Sequence, residues 1–164
     1  MLCRCRRNQG APITKATLLT VEDSITLAKH LKAMVIGLGH NTLGPVSTGE
    51  EAIALSCQHP IDLVLMDIEL AGAMNGIEAS NRIHALIDVP VVFLTGFAQD
   101  HYIEQATQAS PYGFLVKPVS ERDLAAAVAT ILHRHAMDRQ ARESRLALEA
   151  NESNFRNFFH SMTD

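Results

Sequence analysis

The sequence alternates between short apolar runs and amphipathic segments from residue 17 onward. Five runs have the length and composition of β-strands, at residues 17–21, 41–47, 61–66, 89–96 and 112–117. Strands that are joined by helical crossovers form a parallel sheet with helices on both faces. The alternation therefore predicts an α/β fold, with a doubly wound sheet of five parallel strands in a (β/α)5 arrangement.

The segments between these runs predict helices at residues 24–39, 48–58, 77–86 and 99–108, and a last helix from about residue 119. Ser24 is the expected N-cap of the first helix, and Gly37 and Gly39 favour its end. Gly44-Pro45 interrupts the second strand, which suits a strand near the sheet edge. Because residues 125–154 contain no Gly or Pro, the last helix is predicted to be extended.

Composition and charge argue against two classes of partner. Residues 16–132 hold five basic and thirteen acidic residues, a poor balance for binding nucleic acid. No apolar run approaches the roughly 20 residues that span a bilayer. The basic residues 1–15 lack the apolar core of a signal peptide and are predicted to form a flexible tail. We expect a cytoplasmic protein without direct contact with nucleic acid or membrane.

Polar residues stand where four of the predicted strands end: Glu22-Asp23, Asp67, Thr95 and Lys117. Ligands of parallel α/β sheets bind at this edge. Three carboxylates there would repel one another unless a cation lay among them, and oxygen ligands without His or Cys favour Mg²⁺. An aspartate that attacks phosphorus forms an aspartyl phosphate, while Mg²⁺ and an ammonium group offset the charge of the transferring oxygens.

The segments LLTVEDS, DLVLMDIEL, VVFLTG and YGFLVKP resemble the receiver domain of two-component response regulators, over about residues 16–135. The resemblance implies a flavodoxin-like fold and a signalling switch in a phosphorelay. It implies no enzyme in the usual sense, since such domains catalyse only their own phosphorylation and dephosphorylation.

The resemblance also assigns the acidic residues. Asp67 would accept a phosphoryl group from the phosphohistidine of a histidine kinase or phosphotransfer domain. Asp23, Asp67 and the backbone carbonyl of Glu69 would bind Mg²⁺, with Glu22 assisting through water. The loop after Asp67 is about two residues longer than the commoner form and has Asn75 where Asp is frequent.

Three further residues receive roles from the same resemblance. Thr95 would contact the phosphoryl group, and Lys117 would pair with it, with a peptide bond to Pro118 that is usually cis. Phe114 matches the aromatic residue that changes rotamer when the switch is thrown. The surface around the fifth strand and the last helix would then change.

Two alternatives to this function remain open. The first is a receiver-like docking or dimerisation module that works without phosphate. The second is a haloacid-dehalogenase-like phosphohydrolase, which also uses a strand-end Asp and Mg²⁺. Such enzymes typically carry a second Asp two residues after the nucleophile, a position that Glu69 occupies here, and they leave Glu22-Asp23 unexplained.

The last predicted helix continues beyond a receiver domain. Leu124, Val128, Ile131 and His135 form a short seam at coiled-coil spacing, after which Leu146 and Leu148 stand isolated. Residues 136–151 are interpreted as a helical linker, either dimerising or solvated. A homodimer is expected through the fourth and fifth predicted helices or through this C-terminal helix.

Residues 152–164, ESNFRNFFHSMTD, place three phenylalanines within five positions. This stretch resembles the opening helix of a PAS sensor domain. The resemblance implies that the chain is a fragment of a hybrid sensor and response regulator protein.

Overall fold

The computed structural model describes residues 15–96 and 112–162, with side chains as far as residue 156. The strands are β1 (Thr17–Val21), β2 (Asn41–Val46), β3 (Leu63–Asp67), β4 (Val91–Thr95) and β5 (Gly113–Val116). The helices of the described residues are α1 (Ile25–Gly37), α2 (Gly49–Gln58), α3 (Gly76–Leu86) and α4 (Glu121–Met162). The helix predicted at residues 99–108 lies outside the described residues.

The five strands form one sheet in the order β2-β1-β3-β4-β5, and every neighbouring pair is parallel. The doubly wound α/β fold is confirmed. β3, the most apolar run, lies at the centre, where a fully buried strand belongs. β2 lies at an edge, as its Gly44-Pro45 interruption predicts.

Apolar side chains alternate between the two faces of the sheet and form two cores. One core joins Leu18, Leu65 and Leu94 to apolar residues of α1 and of the first part of α4. The other joins Met66 and Phe93 to apolar residues of α2 and α3. Each helix therefore covers one face, and the strand ends remain as the place where polar groups meet.

Side-chain caps begin the first three helices. The Ser24 hydroxyl accepts from the backbone N–H of Leu27, and Thr48 does the same for Glu51. Asn75 and Glu78 form a capping box at the start of α3. These caps satisfy N–H groups that a helix leaves without partners.

The edge strand β2 is irregular at Gly44. Its φ of 86° lies in the left-handed region, and a Cβ there would stand 2.9 Å from the Thr20 carbonyl oxygen. The register between β1 and β2 shifts at this point, between Leu19 and Val21. Glycine is therefore required where the edge strand approaches the backbone of β1.

α4 runs continuously over 42 residues, which confirms the extended helix. The chain divides into two compact units between Leu132 and His133. Leu124, Val128 and Ile131 are at most 5% exposed and belong to the core of the first unit. This part of the seam at coiled-coil spacing therefore packs on the sheet, and the homodimer through the C-terminal helix stays a prediction.

Among the described residues, no helix combines the length and the hydropathy that a bilayer-spanning segment requires.

Leu124→Ala should lower the free energy of unfolding by about 2–5 kcal/mol, because Leu124 is fully buried and its loss leaves a cavity. Leu146→Ala, on the same helix but 60% exposed, should change it by less than about 0.5 kcal/mol. Urea unfolding of both variants measures the difference. Equal effects would contradict the assignment of Leu124 to the core.

Candidate functional site

The ends of β1, β3 and β4 bring acidic and hydroxyl side chains to one edge of the sheet. Val21 pairs with Met66 in the register of β1 and β3, so the residues that follow them, Glu22 and Asp67, stand at the same level. Asp67 in turn pairs with Leu94 of β4, one residue before Thr95. The parallel direction of the strands therefore gathers groups that are distant in the sequence.

Three carboxylates form the centre of this edge. One side-chain oxygen from each of Glu22, Asp23 and Asp67 lies within 4.8 Å of the others. Glu22 and Asp67 are 3% exposed, whereas Asp23 is exposed. An all-oxygen set of this size suits a hard divalent cation such as Mg²⁺, and the exposed Asp23 leaves a side from which an ion can enter.

Lys117 lies between the two buried carboxylates. Its Nζ stands 2.7 Å from Asp67 Oδ2 and 2.9 Å from Glu22 Oε2. The peptide bond from Lys117 to Pro118 is cis, as the resemblance to receiver domains implies. The backbone N–H of Lys117 also donates to the Thr95 carbonyl at 2.8 Å, which fixes the lysine against the end of β4.

The pKa values of the two central groups reflect this arrangement. Burial raises the pKa of Asp67 to about 6, and the nearby Glu22 carboxylate adds to the increase, whereas Lys117 opposes it. Burial alone would lower the pKa of Lys117, but its contacts with Asp67 and Glu22 raise the net value. At neutral pH, Asp67 is mostly ionised and Lys117 is protonated.

Backbone groups orient the carboxylates. The N–H of Ser24 donates to Glu22 Oε1 at 3.0 Å, and the N–H of Glu69 makes a long contact of 3.4 Å with Asp67 Oδ1. The Glu69 side chain is exposed. Glu69 therefore contacts Asp67 through its backbone N–H and not through its side chain.

Thr95 and Phe114 occupy neighbouring strands. Thr95 is 4% exposed, and its hydroxyl donates to the Gly96 carbonyl at 3.2 Å. Phe114 of β5 is 38% exposed, and its ring centroid lies 6.0 Å from that of Phe93. The roles that the sequence assigns to both residues stay predictions.

Gly76, the first residue of α3, lies next to the site, although the sequence patterns gave it no role. A Cβ at Gly76 would overlap the backbone carbonyl oxygen of Asp67. The N–H of Gly76 donates to the Ile68 carbonyl at 2.9 Å. The start of α3 thus packs directly on the backbone that carries Asp67. The Asn75-Gly76 pair after the acidic strand end is the feature that could have indicated this approach.

The raised pKa of Asp67 makes stability depend on pH in a defined direction. An acid with a higher pKa in the folded chain binds more protons there, so stability falls as pH rises from about 4 to about 6. Asp67→Asn removes this ionisation. Without Mg²⁺, the free energy of unfolding of the variant should rise relative to that of wild type as pH increases through this window. The change in the difference should be about 2–3 kcal/mol. Urea unfolding from pH 4.5 to pH 7, within that window and just above it, measures the gain.

Glu69→Gln is the matched control for this measurement, because it also removes a carboxylate, but an exposed one. Its stability relative to wild type should stay constant over the same pH range. A flat difference for Asp67→Asn as well would contradict the raised pKa.

A family profile described as "Response regulator receiver domain" matches residues 18–129. Among curated proteins, the transcriptional regulatory protein PdtaR of Mycobacterium tuberculosis is 34% identical over 111 residues, which are 68% of this chain and 54% of PdtaR. The chain thus spans about half the length of the curated relatives it matches.

Two solved structures extend the comparison. The N-terminal domain of a response regulator/sensory box/GGDEF 3-domain protein from Carboxydothermus hydrogenoformans is 31% identical, with a TM-score of 0.69, covering 74% of this chain and 98% of that domain. A fusion with the trimeric coiled-coil segment of yeast Spc42 is 28% identical, with a TM-score of 0.74, covering 91% of this chain and 96% of the fusion. The profile match, the parallel sheet and the strand-end residues agree that this chain belongs to the response regulator receiver domain family.

Proposed function

We propose that this chain is a phosphoacceptor switch and that Asp67 is the residue phosphorylated. The observation that carries the proposal is the contact of 2.7 Å between Asp67 and Lys117 at a buried edge that also holds Glu22 and Asp23. A carboxylate placed beside a fixed ammonium group can attack phosphorus while the charge of the transferring oxygens is offset.

The donor in this proposal is a phosphohistidine of a histidine kinase or a phosphotransfer domain. A carboxylate oxygen of Asp67 bonds to phosphorus as the phosphorus–nitrogen bond breaks. The electron pair of the broken bond stays on the imidazole nitrogen, and the ring takes up a proton. Because the pKa of Asp67 is about 6, the carboxylate is mostly in its nucleophilic form at neutral pH. Lys117 and the Thr95 hydroxyl are assigned to the oxygens of the transferred group.

Mg²⁺ is the cation assigned to the site. Asp23, Asp67 and the backbone carbonyl of Glu69 would hold it, with Glu22 assisting through water. When bound, Mg²⁺ neutralises part of the charge on the phosphoryl oxygens. The three side-chain carboxylates fit this ion, since one oxygen of each already lies within 4.8 Å of the others.

The output is proposed to travel through Thr95, Phe114 and the surface around β5 and α4. Phe114 is the switch residue in this scheme. Because its ring is partly exposed, it has space to change between a more buried and a more exposed rotamer. Phe114 has no hydroxyl, so its buried position would depend on packing alone.

The chain is also proposed to be part of a longer sensor protein. In this division residues 1–15 form a tail, 16–135 the receiver domain, 136–151 a helical linker and 152–164 the start of a PAS-like domain. The Carboxydothermus protein, whose N-terminal domain resembles this chain, is described as carrying a sensory box.

Self-association through the C-terminal helix is the last element of the proposal. The coiled-coil fusion matches 91% of this chain, whereas the receiver profile ends at residue 129. The 9% of this chain that the fusion does not cover is shorter than the stretch after residue 129. The likeness therefore includes part of α4 beyond the end of the receiver profile. A helix that resembles a coiled-coil fusion favours assembly of several copies along this helix.

Incubation with Mg²⁺ and acetyl phosphate should add the mass of one phosphoryl group to the intact protein. Asp67→Asn should abolish the adduct, because it removes the nucleophile, whereas Glu69→Gln should keep it. Intact mass spectrometry gives the readout. A wild-type protein without an adduct would favour a docking module that works without phosphate. An adduct that survives in Asp67→Asn would exclude Asp67 as the phosphorylated residue.

Asp23→Asn should weaken Mg²⁺ binding by more than about tenfold, a loss of at least about 1.4 kcal/mol, because it removes one of the ligands. Glu69→Gln should leave the affinity close to that of wild type, since Glu69 is assigned a role through its backbone. Isothermal titration calorimetry measures both. Equal affinities in the wild-type protein and Asp23→Asn would remove Asp23 from the metal site.

A further inference from the structure

The part of α4 that belongs to the second unit is a helix whose side chains are exposed over a long stretch. Every residue from 136 to 156 is exposed, although the helix is continuous. Helices of this length obtain most of their stability from packing an apolar face against a partner, because intrinsic helix propensity alone is marginal in water. A partner for this stretch is therefore expected, and the pattern of its side chains indicates which face the partner covers.

One face of this stretch carries no charge. Six residues follow one another at spacings of four, three, four, three and four, the alternation of the contact positions of a coiled coil. We name them the linker seam: Met137, Ala141, Ser144, Leu148, Asn151 and Phe155. The seven charged residues between positions 137 and 155 all lie off this seam.

The apolar members of the linker seam are well exposed, with Met137 at 55%, Leu148 at 66% and Phe155 at 65%. The seam covers 19 residues, about 28 Å of helix. The helical backbone continues to Met162, so the same register also includes positions 158 and 162, which are phenylalanine and methionine in the sequence.

We propose that the linker seam binds the same seam of a second copy of this chain, in parallel and in register. The inference rests on the self-association proposed above and deepens it by assigning the contact face. Ser144 and Asn151 are the polar members of the linker seam. A buried Asn at a contact position favours the register in which it faces its own copy.

Charges beside the seam favour the parallel orientation. Asp138, Arg145 and Glu152 follow one flank at intervals of seven residues. In a parallel pair this flank faces the opposite flank of the other copy, where the corresponding residues, Gln140, Ala147 and Asn154, are uncharged. In an antiparallel pair centred on Arg145, the charged flanks would face each other, with arginine against arginine and Asp138 against Glu152. Like charges at such contacts are unfavourable, so the parallel pair is preferred.

Two exposed leucines provide a matched test of the face. Leu148 belongs to the linker seam, whereas Leu146, 60% exposed, lies on another face two residues earlier. Leu148→Asp should raise the dimer dissociation constant at least tenfold in sedimentation equilibrium of the full chain. Leu146→Asp should leave it unchanged, although both variants introduce the same residue into the same helix. Similar dissociation constants for the two variants would overturn the assignment of the face.

Phosphoryl adduct formation with acetyl phosphate reports whether each variant keeps a folded receiver domain, and it should persist in both. This readout separates the two proposals. A wild-type chain that accepts phosphate but stays monomeric at all concentrations overturns the seam and leaves the function of Asp67 intact. A trimeric mass would overturn the two-copy assembly.

Two serines test the orientation and the register. In a chain with Cys3, Cys5 and Cys57 replaced by serine, Ser144→Cys on the seam should oxidise to a disulfide-linked dimer. Equivalent contact positions of a parallel pair lie about 6 Å apart, within disulfide reach. Ser153→Cys, exposed and off the seam, should remain monomeric under the same oxidation. Equal cross-linking of both variants, or none from Ser144→Cys, would overturn the parallel, in-register pair.

Discussion

The ammonium group of Lys117 between two buried carboxylates is the interaction on which the site depends. Glu22 and Asp67 are almost completely removed from water, and two such charges would repel each other strongly without a cation between them. Lys117 contacts both at 2.9 Å and 2.7 Å. Breaking a buried ion pair by removing one partner leaves an uncompensated charge, which is costly. The ends of β1 and β3 and the residue that follows β5 are thus coupled electrostatically as well as by the sheet.

One ammonium group does not neutralise this edge completely. Glu22, Asp23 and Asp67 carry up to three negative charges against one positive charge. The pKa of Asp67 is raised by its burial and, to a smaller extent, by the Glu22 carboxylate. A divalent cation beside Asp23 would remove the excess. It would also lower the pKa of Asp67, since an opposite charge nearby favours the ionised form. Binding of a divalent cation and ionisation of Asp67 are therefore expected to reinforce each other at this site.

Much of the fold and of the candidate site could be predicted because both follow from local patterns. Apolar runs and helical spacing predicted the strands and most of the helices, and parallel connections placed Asp67 and Lys117 at one edge before any distance was known. The direct contact of Glu22 with Lys117 could not be predicted, because it depends on side-chain conformations across two strands. The close approach of Gly76 to the Asp67 carbonyl could not be predicted for a related reason, since close backbone packing is a property of the tertiary structure.

The seam of Leu124, Val128 and Ile131 shows a different limit of sequence reasoning. An apolar stripe at heptad spacing is produced equally by a helix that packs on its own sheet and by one that packs on another chain. The structure assigns this stripe to the core. Extending its register beyond Leu132 places Arg142, Arg145 and Glu149 at successive contact positions, which explains why Leu148 looked isolated. The linker seam begins one position away from that register, so the proposed contact between copies uses a different face of α4 from the internal contact. Such a change of register allows one continuous helix to pack one face in the core of its own domain and, further along, to bind another molecule through a different face.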